Sequence, residues 1–176
     1  IIIMNKELTH GAMVMSLVTA SEAKAAALQE LAINSRYSCG LATGTGTDQV
    51  GIASRITGEI PLTSAGKHTK LGELIGATVK KSIKNTLALQ DSLTPQSQRS
   101  AKIHIERFGI DKKSMIEKIC SFLNEEKSNL LEKNFVTINS DSVTVAATSA
   151  LVHLRDKIDW GILPENCIPE IFSSYG

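Results

Sequence analysis

Between two long helical patterns this chain carries the segment Leu41-Ala42-Thr43-Gly44-Thr45-Gly46-Thr47-Asp48. A helix is a poor home for it. Each glycine costs roughly 1 kcal/mol relative to alanine, and threonines at every second position have the period of a strand. The segment therefore interrupts an otherwise helical chain and limits the folds open to it. Upstream, Thr9 is placed to cap a helix ending near Ala32, with Met13, Val14, Leu17, Val18, Leu28 and Leu31 on one broad apolar face. The run Ala25-Ala26-Ala27 raises helix propensity and permits close packing. Downstream, Val50, Ile52 and Ile56 continue the strand period. Residues 37–56 thus read as two short strands with a glycine-rich bend between or within them.

A polar stretch with Gly58, Pro61 and Gly66 leads to a second helix, from about Thr69 to Leu89. Its apolar face carries Leu71, Ile75, Val79 and Ile83, and Gly72 and Gly76 beside them leave room for another backbone. Thr94-Pro95 is a cap followed by a first-turn proline, and that helix is expected to stop at Gly109. Asp111 opens another, to about Leu131. Phe135 to Ile138 then reads as strand-like, and Asp141 caps a last helix ending near Gly161, before a tail punctuated by Pro164 and Pro169. The pattern predicts a helix-rich α/β (α+β) fold, with a small sheet from the N-terminal half packed against long helices. A single domain over residues 1–176 is expected. Ile1-Ile2-Ile3 reads as a buried strand, and the missing initiator Met leads to the expectation of an N-terminally truncated fragment.

Composition narrows the function classes. The aromatic residues are one Trp, two Tyr and four Phe, too few to suggest a base-stacking surface, and a net charge of +1 gives no field for nucleic acid or anionic membrane. The apolar stretch from Gly11 to Ala20 is well short of the roughly 20 residues a membrane helix needs. Cys39, Cys120 and Cys167 are widely spaced and form no Cys-x-x-Cys pair, so they read as small buried apolar residues. With no signal-peptide pattern in the opening residues, a cytoplasmic location is expected.

The common catalytic motifs fail on spacing. Gly44-x-Gly46 would need a third glycine where Gln49 stands, and Gly66-Lys67 would need a glycine at Pro61 and a hydroxyl at His68. No metal-ligand cluster is legible, so no metal or cofactor is expected. Three polar clusters remain. In Ser21-Glu22-Ala23-Lys24, Glu22 and Lys24 lie about 200° apart around the helix, so they cannot pair along it. Lys24 sits beside the apolar stripe and must snorkel, find a carboxylate elsewhere or serve a site. In the Thr-Gly stretch, an extended chain would put the hydroxyls of Thr43, Thr45 and Thr47 on one face. Its bare backbone could then supply oxyanion-binding N–H groups, while the plainer reading is a bend that Asp48 closes. In Gly66-Lys67-His68-Thr69-Lys70-Leu71-Gly72-Glu73, His68 falls at a helix N-terminus, where the dipole favours its neutral form, and Glu73 lies near Lys80 as a solvated charge. His10, His104 and His153 sit singly and read as packing or surface residues.

These clusters, in this order, resemble the adenosylcobinamide amidohydrolase family of corrinoid salvage. The carrying segments run from Thr19 to Gln29, from Ala42 to Asp48 and from His68 to Gly76. Leu93-Thr94-Pro95 through Gln98-Arg99-Ser100, Glu106-Arg107-Phe108-Gly109 and Trp160-Gly161-Ile162-Leu163-Pro164 also look similar. Ser21 stands where the family more often has Thr. The family normally carries a substantial segment upstream of the Ile1 to Met4 strand.

The resemblance implies hydrolysis of the amide joining aminopropanol to the corrin ring of adenosylcobinamide, giving adenosylcobyric acid and 1-amino-2-propanol. The cobalt corrinoid would be substrate and not cofactor. Such a reaction needs an activated nucleophile, a stabilised oxyanion and a proton for the amine. The expected catalytic residues are Asp48 or His68 as base and Lys24 for charge or proton donation, with Glu22 nearby. Thr43, Gly44, Thr45, Gly46, Thr47, Thr69 and Glu73 are expected to bind substrate, with Thr45 or Thr47 a possible nucleophile. The competing readings are a non-catalytic corrinoid-binding remnant, a nucleotide-binding protein using the Thr-Gly stretch, and a helical interaction protein.

Overall fold

The computed structural model describes residues 1–46 and 48–175. The chain divides into two compact units. Unit 1 comprises residues 1–36 and 41–93, and unit 2 comprises residues 37–40 and 94–176.

Unit 1 is built as strand, helix, strand, helix. Strand β1 (Ile2–Met4) pairs in parallel with β2 (Ile52–Ser54), Ile2 lying opposite Ile52 and Met4 opposite Ser54. Helix α1 (His10–Glu30) connects them, and α2 (Lys70–Gln90) follows β2. This is the expected helix-rich α/β arrangement with a small sheet. Both helix starts follow the sequence: Thr9 accepts from the Ala12 N–H, and Thr69 accepts from the Gly72 N–H. The core gathers Met4, Leu8, Ala12, Ala20, Ala65 and Ile75, with Ile2, Ile52 and Val79 packed against it.

The face that α1 buries differs in part from the expected one: Leu28 is buried and Met13 packs against the core, but the other expected residues do not join them. Val14, Leu17 and Val18 are exposed, at 61%, 36% and 47%. The buried residues are Ala12, Ser16, Thr19, Ala20, Ala23, Ala27 and Leu28. Small side chains bring α2 and the loop before it close. Ser16 satisfies its buried hydroxyl on the Ala12 carbonyl at 2.8 Å, and Thr19 donates to the Ala65 carbonyl at 3.0 Å. Large apolar side chains on that face would hold the helices apart. Gly72 shows the same closeness: a Cβ there would lie 2.1 Å from the Gly66 carbonyl oxygen, whereas one at Gly76 would meet nothing within 4 Å. Only the first of the two glycines therefore serves a close approach.

Of the two strands expected in residues 37–56, only the second forms. Leu41 makes an isolated antiparallel bridge to Asn34, and the residues after it run irregularly to β2. The opening strand forms as expected but is buried on one face only: Met4 joins the core with Ile2 beside it, while Ile3 on the other face and Ile1 before the strand are 81% and 96% exposed.

Unit 2 is helical: α3 (Pro95–Gln98), α4 (Ala101–Ile105), α5 (Lys112–Cys120), α6 (Glu125–Asn139), α7 (Ser142–Asp159) and α8 (Ile168–Tyr175). Thr94 and Gly109, the latter at φ 76°, bound the first segment as expected, but it breaks at Arg99 and Ser100 into α3 and α4. The helix expected from Asp111 to Leu131 also ends early, at Cys120, because Asn124 caps a new helix by accepting from the Lys127 N–H. That helix absorbs residues 135–138, which were expected as a strand. Leu131 and Phe135, four apart, are its buried face, and this packing overrides the strand preference of Phe, Val and Ile. Arg107 and Asp156 form a buried ion pair, and Arg107 also donates to the Cys39 carbonyl at 2.8 Å. The cysteines are not buried: Cys39 is exposed and the other two are half-buried. Among the described residues no single helix is long and apolar enough to cross a membrane.

Candidate functional site

The residues singled out in the sequence fall on two sides of α1 in unit 1. On one side stands Lys24. Its ammonium pairs with the Asp48 carboxylate, so the carboxylate that Lys24 requires comes from the loop before β2. Both side chains are substantially shielded, at 16% and 30% exposure. Asp48 also receives the Thr45 N–H at 2.7 Å on Oδ2 and the Thr45 hydroxyl at 2.7 Å on Oδ1. One carboxylate thus holds an ammonium, an amide and a hydroxyl. Burial works against its charge, but the Lys24 ammonium and the two Thr45 donors outweigh it and lower its pKa to about 2.

The Thr-Gly stretch is therefore a tight turn closed by Asp48, not an extended ladder of hydroxyls. Gly44 packs tightly against the pair. A Cβ there would approach the Asp48 Oδ2 to 3.0 Å and the Lys24 Nζ to 3.6 Å. Gly46 is open, with nothing within 4 Å of a Cβ, and Thr43 is exposed. Thr47 lies outside the described residues. Because the Thr45 N–H is already given to Asp48, it is occupied and not presented to a ligand.

Lys24 and Asp48 line a cleft of about 280 Å³ together with β1 and with Thr78, Val79, Ser82 and Ile83 of α2. Beside it runs a cleft of about 660 Å³ along β1, Leu71, Leu74 and the loop at Leu62, and the two share Ile2, Ile3, Ile75 and Thr78 as a common wall. Thr78 and Ser82 escaped the sequence reading. Their spacing of four on α2 was visible, but nothing in the sequence placed β1 and Asp48 opposite them.

The other expected residues gather elsewhere. Glu22 pairs with Lys67 at 2.8 Å and Glu73 with Lys70 at 2.9 Å, both in exposed bridges. Lys80, expected near Glu73, pairs with Glu30. Glu22 and Glu73 line a separate cleft with Gly72 and Gly76. The Thr69 hydroxyl is engaged in the turn: it donates to the Gly66 carbonyl at 2.8 Å and accepts from the Gly72 N–H. His68 is exposed and lines neither the Lys24 cleft nor the one that Glu22 shares. The structure thus joins Lys24, Asp48, Thr45 and Gly44, sets Glu22, His68 and Glu73 apart from them, and places Thr69 on the lining of the adjoining 660 Å³ cleft. Among the described residues no group of three or more His, Cys, Asp and Glu side chains converges.

Comparison with known proteins bears on this same part of the chain. An uncharacterized protein of Methanocaldococcus jannaschii is 43% identical over 94 residues, which are 53% of this chain and 36% of that protein. The chain thus spans about a third of the relative's length. No solved structure matches. The family model described as adenosylcobinamide amidohydrolase matches residues 1–95. That span contains Lys24, Asp48 and all of α2. The similar-looking segments at Glu106 to Gly109 and Trp160 to Pro164 lie beyond it. With more than half of its length matched, the chain belongs to the adenosylcobinamide amidohydrolase family.

Proposed function

We propose that unit 1 hydrolyses the amide joining aminopropanol to the corrin ring of adenosylcobinamide, and that Lys24, Asp48 and Thr45 carry the reaction. The observation that supports this most directly is the shielded Asp48 carboxylate that gathers an ammonium and a hydroxyl beside a cleft. Amide hydrolysis needs three things of a site: an oriented attacking oxygen, positive charge for the oxyanion, and a proton for the departing amine. The Thr45 hydroxyl, or a water in its place, is the attacking oxygen that Asp48 orients and deprotonates; where Thr45 attacks, the amine leaves first and a water then cleaves the Thr45 ester, freeing the acid and restoring the hydroxyl. The Lys24 ammonium stabilises the developing negative charge and gives a proton to the amine.

A carboxylate with a pKa of about 2 is a weak base near neutrality. The Lys24 ammonium is the leading cause of that low value, so its turn towards substrate raises the basicity of Asp48 as the reaction begins.

The test is chromatography of adenosylcobinamide incubated with the chain. Adenosylcobyric acid and 1-amino-2-propanol are the expected products. Corrinoid recovered unchanged, under conditions where it raises the melting temperature, would replace the reading with that of a binding protein. An ester on Thr45 detected by mass spectrometry would identify its hydroxyl as the attacking group, and turnover retained in Thr45→Val would identify water.

A further inference from the structure

We propose that the cleft beside Lys24 and Asp48 is the pocket for the leaving amino alcohol, and that Thr78 and Ser82 read its hydroxyl. The inference rests on the amidohydrolase reading of the same site.

Size is the first argument. Pockets for drug-sized ligands span roughly 300–1,000 Å³, and this cleft, at about 280 Å³, lies at the small end of that range. A corrin macrocycle cannot enter it. The scissile amide has one very large side and one small side, and only the small side, a three-carbon amino alcohol, matches the space next to Lys24 and Asp48. The adjoining 660 Å³ cleft, with its apolar lining of Leu62, Leu71 and Leu74, is left for the bulkier side.

Chemistry is the second argument. The walls contributed by Ala20, Val50, Val79 and Ile83 are aliphatic and suit a methyl group. Thr78 and Ser82 are four apart on α2, so they stand one above the other on one helix face. Ser16, Ser140 and Thr148 turn their hydroxyls back onto the carbonyl four residues earlier. No protein group takes the hydroxyl of Thr78 or Ser82 among the described residues, and both line the cleft. Two unengaged hydroxyls on an aliphatic wall match an arm bearing one methyl and one hydroxyl.

The experiment titrates the isotope-labelled chain with N-acetyl-1-amino-2-propanol, a neutral amide carrying the arm, and with N-propylacetamide, which lacks the hydroxyl. Amide NMR shifts report the binding. The expected result is saturable shifts at Thr78, Val79 and Ser82, with affinity roughly tenfold lower for the amide without a hydroxyl, as befits one or two net hydrogen bonds. The double variant Thr78→Val/Ser82→Ala, on an exposed face and checked by circular dichroism, should bind both amides equally. Absence of shifts at these residues, equal affinity of the wild-type chain for the two amides, or a preference undiminished in the variant overturns the inference. Release of 1-amino-2-propanol from adenosylcobinamide is followed separately. Its absence alongside the expected shifts would overturn the hydrolase reading and leave the amino-alcohol pocket standing.

Discussion

Lys24, in the middle of α1, and Asp48, in the loop before β2, meet as an ion pair in which both side chains are largely shielded from solvent. The pair ties the Thr-Gly turn to the helix and sets a fixed positive charge beside a cleft. Its removal should separate catalysis from binding. In Asp48→Asn and in Lys24→Met, turnover of adenosylcobinamide should fall by about 10²–10⁴, the range for a positioned acid or base. Corrinoid affinity, measured by titration, should change little. Turnover within a few-fold of wild type in either variant would remove that residue from the proposed reaction.

The Asp48 carboxyl also gives stability a pH dependence of known sign. Its folded pKa of about 2 lies below the ordinary 3.8. Folding therefore gains from its ionisation above that ordinary value, and the gain is lost as pH falls through the folded value. Other carboxylates, among them Glu7, Glu30, Asp111 and Asp141, shift in the same direction, so the wild-type curve alone does not isolate Asp48. The difference between wild type and Asp48→Asn does. It should be largest above about pH 4 and shrink between about pH 4 and pH 2 in thermal melts taken stepwise. A difference independent of pH over that interval would show that the carboxylate is not held as described.

Much of this site was legible from local chemistry. The angle between Glu22 and Lys24 around a helix already excluded their pairing, and for a lysine beside the apolar stripe a carboxylate from elsewhere was one of three outcomes the sequence left open. Which carboxylate depends on a chain path of 24 residues, from α1 through the loop before β2, that no periodicity encodes. The strict alternation of Thr43, Gly44, Thr45 and Gly46 suggested a strand because side-chain period is blind to a turn closed three residues on by Asp48. The buried face of α1 was misread for a related reason. Hydropathy weights Val14 and Leu17 above Ala12 and Ser16, whereas close helix packing selects for small size. Residues 135–138 illustrate the opposite case, where strand-favouring side chains sit in a helix because Leu131 and Phe135 bury together.

In unit 2, Arg107 and Asp156 are 3% and 7% exposed as side chains, and Arg107 reaches Asp156 Oδ1 at 2.6 Å. The guanidinium groups of Arg107 and Arg155 both stack on the Phe108 ring, at 4.6 and 4.0 Å from its centroid. Removal of one charge leaves the other buried and unpaired. Asp156→Asn should therefore destabilise unit 2 by about 3–5 kcal/mol, while a double replacement by apolar residues of similar volume should cost much less. Trp160, which follows α7 and is the sole tryptophan, reports unfolding of this unit by its fluorescence in urea. Equal losses in the single and double variants would mean that the pair's charges do not account for the effect.

Gly72 and Gly76 provide a paired test of how closely the loop at Ala65 and Gly66 packs on α2. Both stand inside α2, where glycine costs roughly 0.5–1 kcal/mol relative to alanine. At Gly72 a Cβ would fall 2.1 Å from the Gly66 carbonyl oxygen and 2.7 Å from that of Ala65. Those are backbone atoms, and the Ala65 carbonyl is also fixed by Thr19 and the Gly66 carbonyl by Thr69, so the neighbour cannot swing aside as a side chain would. Gly72→Ala should lower stability by about 1–3 kcal/mol, the usual range for forced overpacking. At Gly76 a Cβ meets nothing, so Gly76→Ala should raise stability by the helix-propensity gain alone. Opposite shifts in melting temperature from the same substitution one turn apart would establish the seam. A stabilising Gly72→Ala would show that the loop at Ala65 and Gly66 does not press on α2.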